Sequence, residues 1–480
     1  MFRKLFAKIW TRGGRVAAIL LLLSGSAFGA FQVGLGTTSV KASDFPQLSL
    51  AGVQRLLVLA PHPDDETLAA GGLIQAATRA GIQVRVVIAT NGDGSRSTAV
   101  AYLHAVRPSA QDYLRMGRAR QQESLAALKL LGVGSGQVDF LSFPDRGTPF
   151  LWAGHWSSSS PYRSPFTHQT RSAYPLTFDK AEVYSGQDYL SDLTAILDAY
   201  RPDLVVYPHP EDIHPDHWGL NVFTRLALTT LEAGDPTYRP RQYTYLVHRN
   251  DYPVVRGYRP TSDLVPPPPL YAISHTWVRF DLTPQQEVLK YAALQEYRSQ
   301  LPTLRGLMDS FDRTNELFAP VVDSRLTAVT AGTADDPATW AQASGQRLAA
   351  IQPDPVHDVL MRTALSSADL VAVYAARGPQ DALWLCTESD DPTTADIDYI
   401  IHLKLLTAGG VADIGAQTLR PPKGWQKADR AGVYACTQFG LAQLGNPYAV
   451  YVGALTQGPD GLTIDQTAWQ MVWVDPQKAP

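Results

Sequence analysis

The sequence predicts an α/β fold, a mostly parallel sheet with helices on both faces, and a smaller β-rich domain at the C-terminus. The apolar runs Leu56–Ala60 and Val84–Thr90 flank a helix-forming stretch, Thr67–Ala80, which ends at Gly81. This strand–helix–strand order is typical of two parallel neighbouring strands. Alternating segments rich in β-branched side chains begin near residue 355 and predict the second domain.

Further elements follow from the same patterns. Predicted helices lie at 110–131, Gln187–Tyr200, Trp218–Ala233 and Pro284–Arg298, and predicted strands lie at Val138–Phe143 and Leu204–Tyr207. In the C-terminal domain the predicted strands are Leu370–Tyr374, Leu383–Thr387, Tyr399–Leu405, Tyr448–Leu455 and Ala468–Val474. Residues 146–187 carry aromatic side chains among Ser, Gly and Pro without any period, so we expect a long loop that is functional or mobile.

The N-terminus has the pattern of an export segment. Five basic residues between positions 3 and 15 precede the apolar run Val16–Leu23, and small residues follow it. A cleaved signal peptide and an uncleaved single-span anchor both fit, because weak apolar character continues to position 35 and roughly reaches the ~20 residues that span a bilayer. In both cases the basic flank places the N-terminus in the cytoplasm and the rest of the chain outside it. A buried N-terminal helix fits less well, because the basic residues lie on one side only.

These patterns divide the chain into five segments. Residues 1–35 are the signal peptide or transmembrane anchor, and 36–50 are a polar linker. Residues 51–322 form the α/β domain, 323–354 are a second linker rich in Ala, Thr and Gly, and 355–480 are the β-rich domain. A length of 480 residues suits two to three domains.

Composition narrows the classes of function. The net charge is −4, and no stripe of Lys and Arg occurs outside the N-terminus, so we expect no nucleic-acid partner. The two cysteines, Cys386 and Cys436, are too few for a disulfide scaffold. An exported location permits a bridge between them, and the sequence leaves open whether it forms.

Charged and imidazole side chains follow two of the predicted strands. They are His62, Asp64, Asp65 and Glu66 after the first strand, and His214, Asp216 and His217 after Leu204–Tyr207. A buried strand does not tolerate such charge without a partner, and open α/β sheets bind ligands beyond the carboxyl ends of their strands. The two clusters converge only if the two strands lie near each other in one sheet. The sequence therefore predicts one joint site.

The residue types in the two clusters are those that bind zinc. His62, Asp65 and His217 supply three ligands and leave a fourth position for water, as in catalytic zinc sites. We expect one Zn²⁺ per chain, with another divalent metal as the alternative. Such a metal lowers the pKa of bound water to about 7, and Asp64 is the candidate base for its proton. The alternative is that the carboxylates cap the following helix. Capping explains neither His62 nor the second cluster. We therefore assign the capping role to Glu66.

The remaining two residues of the second cluster suit a role in the transition state. His214 precedes His217 by three positions, so both rings can face the site. We expect His214 to stabilise the oxyanion of a tetrahedral intermediate. Asp216 is the candidate to orient the His214 ring, as a carboxylate does in a catalytic triad.

Both motifs resemble those of the PIG-L/LmbE family of zinc-dependent N-deacetylases. The motifs are Pro-His-Pro-Asp-Asp-Glu at 61–66 and His-Pro-Asp-His at 214–217. The resemblance covers about 53–320 and extends to Arg-Gln-Gln-Glu at 120–123, Phe-Pro-Asp at 143–145 and Tyr-Arg-Ser-Gln at 297–300. It implies a Rossmann-like sheet, the same three zinc ligands, the same base, and His214 oriented by Asp216 as the residue that assists the transition state.

The resemblance implies a role for two further residues. Arg120 matches an arginine that contacts substrate in relatives, and an ion pair with Glu123 on the helix surface is the alternative. Asp145 lies in a matching motif and is assigned to substrate binding. The long segment 146–187, the C-terminal domain and the export segment depart from the simplest family members, which puts the substrate in doubt.

The resemblance implies removal of an N-acetyl group from an N-acetylglucosamine-containing conjugate. Because of the export segment, we expect an amino-sugar glycoconjugate or glycolipid outside the cytoplasm, with the N-terminus as an anchor in the membrane if it is not cleaved. The aromatic residues of 146–187 either stack on sugar rings or form a packed lid. The alternatives are a zinc amidase for another N-acyl substrate and a non-catalytic glycan-binding envelope protein, against which the intact metal-binding set argues.

Overall fold

The structure is a computed structural model that describes residues 40–274, 276–329, 337, 339–340, 350–356, 358, 366–419 and 430–475. The predicted export segment, 1–35, lies outside the described residues. Among those that are described, no helix combines the length and the apolar character needed to cross a membrane. The chain from Phe45 onward forms one compact unit, and the described part of the preceding unit contains a short 3-10 turn at Ala42–Asp44.

A seven-stranded sheet forms the centre of the α/β domain. Its strands are β1 (Arg55–Ala60), β2 (Gln83–Thr90), β3 (Val138–Phe143), β4 (Leu204–Pro208), β5 (Arg241–Tyr245), β6 (Val278–Asp281) and β7 (Asn315–Pro320). Their order is β3-β2-β1-β4-β5-β7-β6. The first five are parallel, and β7 pairs antiparallel with both β5 and β6. The predicted Rossmann-like, mostly parallel sheet is confirmed.

Helices pack in two groups around this sheet, which explains the unbroken apolar runs of its central strands. The helices are Asp65–Arg79, Arg96–Leu103, Ala110–Leu130, Thr148–Ala153, Gly186–Tyr200, Pro215–Gly234, Pro268–Ile273, Pro284–Leu294 and Leu301–Met308. Leu57 and Leu59 of β1 share a core with the helices Gly186–Tyr200 and Pro215–Gly234. The helix Pro284–Leu294 packs against Asp65–Arg79 and Ala110–Leu130 as the other group.

The helix that begins at Pro284 ends earlier than the sequence predicts. It stops at Leu294 rather than Arg298, and the chain turns so that Tyr297 is completely buried. The Tyr297 hydroxyl then donates a hydrogen bond to Glu66 Oε1 at 2.8 Å. A continued helix would carry this side chain elsewhere, so a tertiary contact outweighs local helix propensity here.

The C-terminal region is β-rich, as predicted, and it contains two further sheets. Its strands are β8 (Ser324–Arg325), β9 (Thr327–Ala328), β10 (Gln352–Pro353), β11 (Leu370–Gly378), β12 (Ala382–Ser389), β13 (Asp398–Thr407), β14 (Gly410–Leu419), β15 (Tyr434–Gly440), β16 (Ala449–Gln457), β17 (Thr463–Gln466) and β18 (Gln470–Trp473). One sheet has the order β10-β11-β12-β15 with β9 beside β11, and the other β14-β13-β16-β18-β8 with β17 beside β16. Val373, Leu385, Ile401 and Val452 belong to a core that both sheets share.

Among the described strands of this region, six were not predicted, and β14 and β15 are the longest of them. β14 and β15 are edge strands whose side chains are mostly exposed or half-buried, so no apolar alternation marks them. Cys386 and Cys436 lie opposite each other in β12 and β15 and form a disulfide bond, which answers the question that the sequence left open.

The segment before the C-terminal domain takes part in its sheets. β8 pairs with β18, and β9 pairs with β11. Both short strands fall within the linker predicted at 323–354. The division of the chain into domains and linkers stays a prediction.

Trp152 joins the α/β domain to the β-rich region. Its side chain is only 1% exposed, and its ring makes edge contacts with Phe223, Tyr451 and Trp469. The ammonium group of Lys404 lies 4.8 Å from the centre of the Trp152 ring. A cation at this distance from an aromatic face is attracted to the ring. These contacts make the aromatic segment 146–187 part of the core between the two regions.

Most aromatic side chains of 146–187 are packed inside the protein. Trp156 stacks on a core phenylalanine, Tyr174 is buried and donates a hydrogen bond to Asp93, and Phe166 packs edge-on against a neighbouring tyrosine. Phe150 and Phe178 are the large exposed ones, at 54% and 40%. The packing favours the lid interpretation over sugar stacking for the segment as a whole.

Candidate functional site

The two predicted clusters meet because β1 and β4 are neighbours in the sheet. The strands pair in parallel, with Leu56 opposite Leu204 and Val58 opposite Val206. From this pair the strand order runs outward in opposite directions, through β2 and β3 on one side and β5 on the other. Such a switch point opens a crevice at the carboxyl ends of the strands. Both clusters follow those ends and line the same crevice.

Three donor atoms converge on one point in the crevice. Asp65 Oδ2 lies 3.1 Å from His62 Nδ1 and 3.1 Å from His217 Nε2, and the two imidazole nitrogens are 3.3 Å apart. Ligands of a tetrahedral zinc ion with bonds of 2.0–2.1 Å are separated by about 3.3 Å. Asp65 Oδ1 is buried without a hydrogen-bond partner among the described residues. The residues and their spacing fit a zinc ion with one position left open.

The ring of His217 is held by a carboxylate that the sequence analysis missed. His217 Nδ1 donates to Asp212 Oδ2 at 2.9 Å, and the same oxygen accepts the backbone N–H groups of Val247 and His248 at 3.0 and 2.9 Å. Such a partner fixes the tautomer that leaves Nε2 free to bind a metal. Burial alone would raise the pKa of Asp212, but His217 and His248 outweigh it and lower the pKa to about 2. Its position five residues before His217 was the only signal in the sequence.

His62 is supported in a similar way from its other side. Its Nε2 faces Asp216 Oδ2 at 3.2 Å and Asp145 Oδ1 at 3.5 Å. Asp145 Oδ2 accepts the backbone N–H of Gly94 at 2.6 Å, and Asp216 Oδ2 accepts that of Arg146 at 2.6 Å. Both carboxylates are almost fully buried. Asp145 therefore supports His62 directly, and its predicted contact with substrate stays a prediction.

Asp64 has a strained backbone at the edge of the donor set. Its φ of 125° and ψ of −33° lie outside the regions that side-chain-bearing residues normally adopt. The Asp64 N–H donates to Glu66 Oε2 at 3.0 Å, and Asp64 Oδ2 accepts from Arg120 at 3.2 Å. Glu66, predicted to cap or brace the helix, thus holds the residue just before the helix through this contact. Strain of this kind persists where surrounding contacts enforce it, often at active sites.

The environment of Asp64 makes it a stronger base than an ordinary carboxylate. Burial raises the pKa of Asp64 well above its usual value, and the negative charges of Asp65 and Glu66 add to this increase. The guanidinium of Arg120 opposes the increase without cancelling it. A carboxylate whose pKa moves toward neutrality accepts a proton more readily once it is ionised.

Arg120 holds the loop that carries this aspartate. Its guanidinium donates to Pro63 O at 2.7 Å and to Gly92 O at 2.8 Å, besides Asp64. A Cβ at Gly92 would lie 1.6 Å from Arg120 Nη1, so only glycine fits there. The alternative of an ion pair with Glu123 on the helix surface is wrong, because Arg120 is 4% exposed and its ion pair is with Asp64. A contact between Arg120 and substrate stays a prediction.

His214 is oriented by a backbone group rather than by a carboxylate. Its Nδ1 accepts the backbone N–H of Asp216 at 3.3 Å, whereas the Asp216 carboxylate is 4.0 Å away and bound to other partners. The prediction that this carboxylate orients the ring is therefore corrected. Burial and the neighbouring rings of His62 and His217 lower the pKa of His214 to about 2. The neutral ring then carries its proton on Nε2, because Nδ1 is an acceptor.

His248 is a second residue that the sequence analysis missed. Its ring centre lies 4.7 Å from that of His217 and 5.2 Å from that of His214. Burial and the charge of His217 lower the pKa of His248 to about 4. It follows β5 and an ordinary apolar run, so the sequence carried no signal for it. A neutral imidazole therefore forms one wall of the crevice.

Comparison with known proteins identifies the segment that contains both motifs. Residues 57–228 match the model of the PIG-L family, described as GlcNAc-PI de-N-acetylase. This segment includes every donor atom of the candidate metal site and both His214 and Asp64. Sequence comparison and site geometry therefore point to the same part of the chain.

The sequence relatives are deacetylases of an amino-sugar inositol. The 1D-myo-inositol 2-acetamido-2-deoxy-alpha-D-glucopyranoside deacetylase of Mycobacterium sp. (strain KMS) is 36% identical over 167 residues, which cover 34% of this chain and 47% of that protein. The protein of the same name from Rhodococcus erythropolis is 28% identical over 208 residues, 42% of this chain and 63% of the relative. The chain spans about half the length of the first of these curated relatives.

Solved structures resemble the chain more distantly. The N,N'-diacetylchitobiose deacetylase of Pyrococcus horikoshii has a TM-score of 0.35 and 18% identity, and the alignment covers 56% of this chain and 84% of that one. The A40926 pseudoaglycone deacetylase Dbv21 has a TM-score of 0.35 and 17% identity, with 56% and 97% covered.

We expect Asp212→Asn to weaken zinc binding by about 10- to 100-fold, because the amide still accepts from His217 Nδ1 but lacks the charge that makes the ring a better ligand. Competition with a chromophoric chelator measures the affinity. Asp251→Asn is the matched control, since Asp251 pairs with Arg249 at 2.9 Å in the same region and is partly exposed. Equal affinity of Asp212→Asn and the unsubstituted protein would contradict the assignment.

Proposed function

We propose that the protein removes the N-acetyl group of an N-acetylglucosamine-containing glycoconjugate in a zinc-dependent reaction, from the premise that residues 57–228 match the PIG-L family. The observation that carries the proposal is the convergence of His62, Asp65 and His217 within the matched segment, beside Asp64 and His214. The names of the sequence relatives, which act on an acetamido-glucopyranoside, support this substrate class. The presence of a base and a proton donor next to the donor atoms argues for catalysis rather than glycan binding alone.

The residues of the crevice have separate roles in amide hydrolysis. A divalent cation held by the three ligands would acidify the attacking water and polarise the amide carbonyl. Asp64 takes a proton from the water as its oxygen bonds to the carbonyl carbon. His214 donates its Nε2–H to the oxygen that becomes negative. Asp64 then returns the proton to the amide nitrogen as the C–N bond breaks, and the products are acetate and the free amine.

The supporting contacts explain why these groups are ready to react. Arg120 and Glu66 hold Asp64 in a strained conformation, so little movement is needed before proton transfer. The Asp216 N–H fixes the His214 ring with its proton on Nε2. Asp216 is therefore a positioning residue for His62 and His214. Asp145 acts with it on the ring of His62.

We expect Asp64→Asn to reduce acetate release by at least ~10²-fold while zinc content stays near one per chain, because the amide cannot accept the proton. Asparagine suits the positive φ at this position better than most residues. Acetate release and metal analysis of the same preparation measure both quantities. His217→Ala should lose zinc and activity together. Deacetylation by Asp64→Asn at the original rate would exclude Asp64 as the base.

We propose that the rest of the glycoconjugate lies in a cleft next to the crevice. A cavity of about 520 Å³ is lined by the 210–213 segment, the helix that starts at Thr148, and strands β16 and β17. Phe150, Trp218 and Trp469 line it, and Phe150 is 54% exposed. Aromatic faces provide rigid apolar surface against which a sugar ring packs. The β-rich region thereby contributes one wall of the substrate site.

Phe150→Ala should lower kcat/KM about 10-fold for an N-acetylglucosamine–inositol conjugate but leave free N-acetylglucosamine unaffected, since burial of such a ring contributes about 1.5–3 kcal/mol. Steady-state kinetics on the two substrates measures the difference. Phe178→Ala is the matched control, because Phe178 is an exposed phenylalanine of the same segment that does not line the cavity. Equal losses in the two variants, or on the two substrates, would argue against the cleft.

We further propose that the enzyme acts outside the cytoplasm, either secreted or anchored in the membrane. The basic and apolar pattern of residues 1–35 supports export. The Cys386–Cys436 disulfide agrees with it, because such bonds persist in oxidising compartments. A fusion of residues 1–50 to alkaline phosphatase should be active, since that reporter needs export to form its own disulfides. An inactive fusion that accumulates in the cytoplasm would contradict export.

A further inference from the structure

A second group of carboxylates lies at the boundary between the β-rich region and the segment that follows β4. Carboxylate oxygens of Asp354, Asp358 and Asp465 all lie within 4.8 Å of one another. Asp354 follows β10 and Asp465 lies in β17, so residues more than a hundred positions apart meet there. Asp354 is 2% exposed and Asp465 is 8% exposed. The fold therefore buries like charges side by side.

The surroundings of this cluster add negative charge. Glu211, from the segment after β4, interacts with both Asp358 and Asp465, and its side chain accepts from Gln352 Nε2 at 2.9 Å. The cation that faces Glu211 is Arg249, whose Nε already binds Asp251 at 2.9 Å. Burial of ionised carboxylates costs several kcal/mol per group unless a counter-charge is present. Within the described part of the chain, neither Asp354 nor Asp465 forms an ion pair with Lys or Arg.

One oxygen in the cluster has no partner. Asp354 Oδ2 is buried and makes no hydrogen bond within the described part of the chain. Asp465 is oriented by two backbone groups, with Leu370 N–H on Oδ2 at 2.6 Å and Gln466 N–H on Oδ1 at 2.8 Å. Buried carboxylate oxygens are normally satisfied by donors or by a cation. The unpartnered oxygen in a preformed cluster points to a ligand that the chain itself does not supply.

Protons are the simplest alternative ligand. Burial raises the pKa of Asp354 well above its usual value, and Glu211 and Asp465 raise it further. Burial, partly opposed by the Leu370 N–H, raises the pKa of Asp465 to about 7. The carboxyl groups would therefore hold protons near neutral pH if nothing else neutralised them. A cation and a shared proton make different predictions, which an experiment can separate.

We propose that Asp354, Asp358 and Asp465 form a binding site for Ca²⁺, separate from the metal site of the crevice. All three donors are carboxylate oxygens, which hard cations prefer, whereas zinc in proteins favours nitrogen and sulfur. Ca²⁺ takes six to eight oxygen ligands and accepts water among them. The cavity of about 520 Å³ reaches both Asp358 and Asp465 and provides an entry path and room for that water.

The site would link the β-rich region to the active-site segment. Glu211 is adjacent to Asp212, which holds His217, and Gln352 connects Glu211 to the strand next to Asp354. A bound cation removes the repulsion between Glu211 and the aspartates across this boundary. Ca²⁺ therefore stabilises the wall of the cleft that faces the crevice. This role is structural, and Asp358 and Asp465 line the same cavity as the proposed substrate cleft.

The test uses the full chain, stripped of metal and reconstituted with one equivalent of Zn²⁺. Addition of Ca²⁺ up to 10 mM at pH 7.5 should raise its Tm by about 2–4 °C. Asp354→Asn and Asp465→Asn should fold and lose this response, because each removes a charged ligand. Asp358→Asn, at an exposed position, provides the same test if the buried variants do not fold. Calorimetric titration with Ca²⁺ should give one site in the zinc-loaded protein.

Asp398→Asn is the matched control, since Asp398 is an exposed aspartate at the start of β13 in the same region. It should retain the full Ca²⁺ response. A Tm that does not depend on Ca²⁺ would overturn the proposal in favour of shared protons. An unchanged response in Asp354→Asn and Asp358→Asn would overturn it as well. None of these outcomes bears on the proposed deacetylation, because no readout uses activity.

Discussion

The parallel pairing of β1 with β4 is the constraint on which the rest of the site depends. It brings His62 and Asp65, which follow one strand, within 3.3 Å of His217, which follows the other. These positions are separated by more than 150 residues in the chain, and only the order of strands in the sheet makes them neighbours. Helices that bury both faces of the strands keep that order rigid, and this holds the donor atoms close together.

Electrostatics is the second feature that organises the crevice. Carboxylates outnumber permanent cations there: among the described residues, Arg120 is the one guanidinium that pairs with a carboxylate of the motif loop. Backbone N–H groups donate hydrogen bonds to these carboxylates and imidazole rings contact them, as at Asp212 and Asp216. A divalent cation would complete this arrangement, since it neutralises charge that hydrogen bonds only distribute. Buried carboxylates also lie together at Asp354 and Asp465, where every candidate ligand atom for a cation is an oxygen.

The β-rich region acts as a support for the α/β domain. Trp152 packs between helices of the first region and strands of the second, and the Lys404 ammonium lies against its ring. Lys404 is buried and also pairs with Asp413. Through this contact much of the long segment 146–187 packs against the core. Phe150, in the same segment, stays exposed beside the proposed cleft, where variation of a few side chains would change the substrate without disturbing the core.

Much of the fold could be predicted from local patterns. The apolar runs at β1, β2, β3 and β4 gave correct strands within one residue at most ends, because these strands are buried on both faces. β14 and β15 could not be predicted, since edge strands with exposed side chains carry no alternation. The end of the helix at Leu294 could not be predicted from the sequence either, because it depends on the contact between Tyr297 and Glu66.

By itself, the sequence determined the residue types of the site and their place after two strands: His62, Asp65 and His217 as donors, with Asp64 and His214 beside them. Only the tertiary structure decided how each is held. Asp212 fixes His217, the Asp216 N–H rather than its carboxylate fixes His214, and Arg120 pairs with Asp64 rather than Glu123. Ligand identity follows from side-chain chemistry, which is local. Orientation follows from hydrogen bonds across distant segments, which form only when the chain folds.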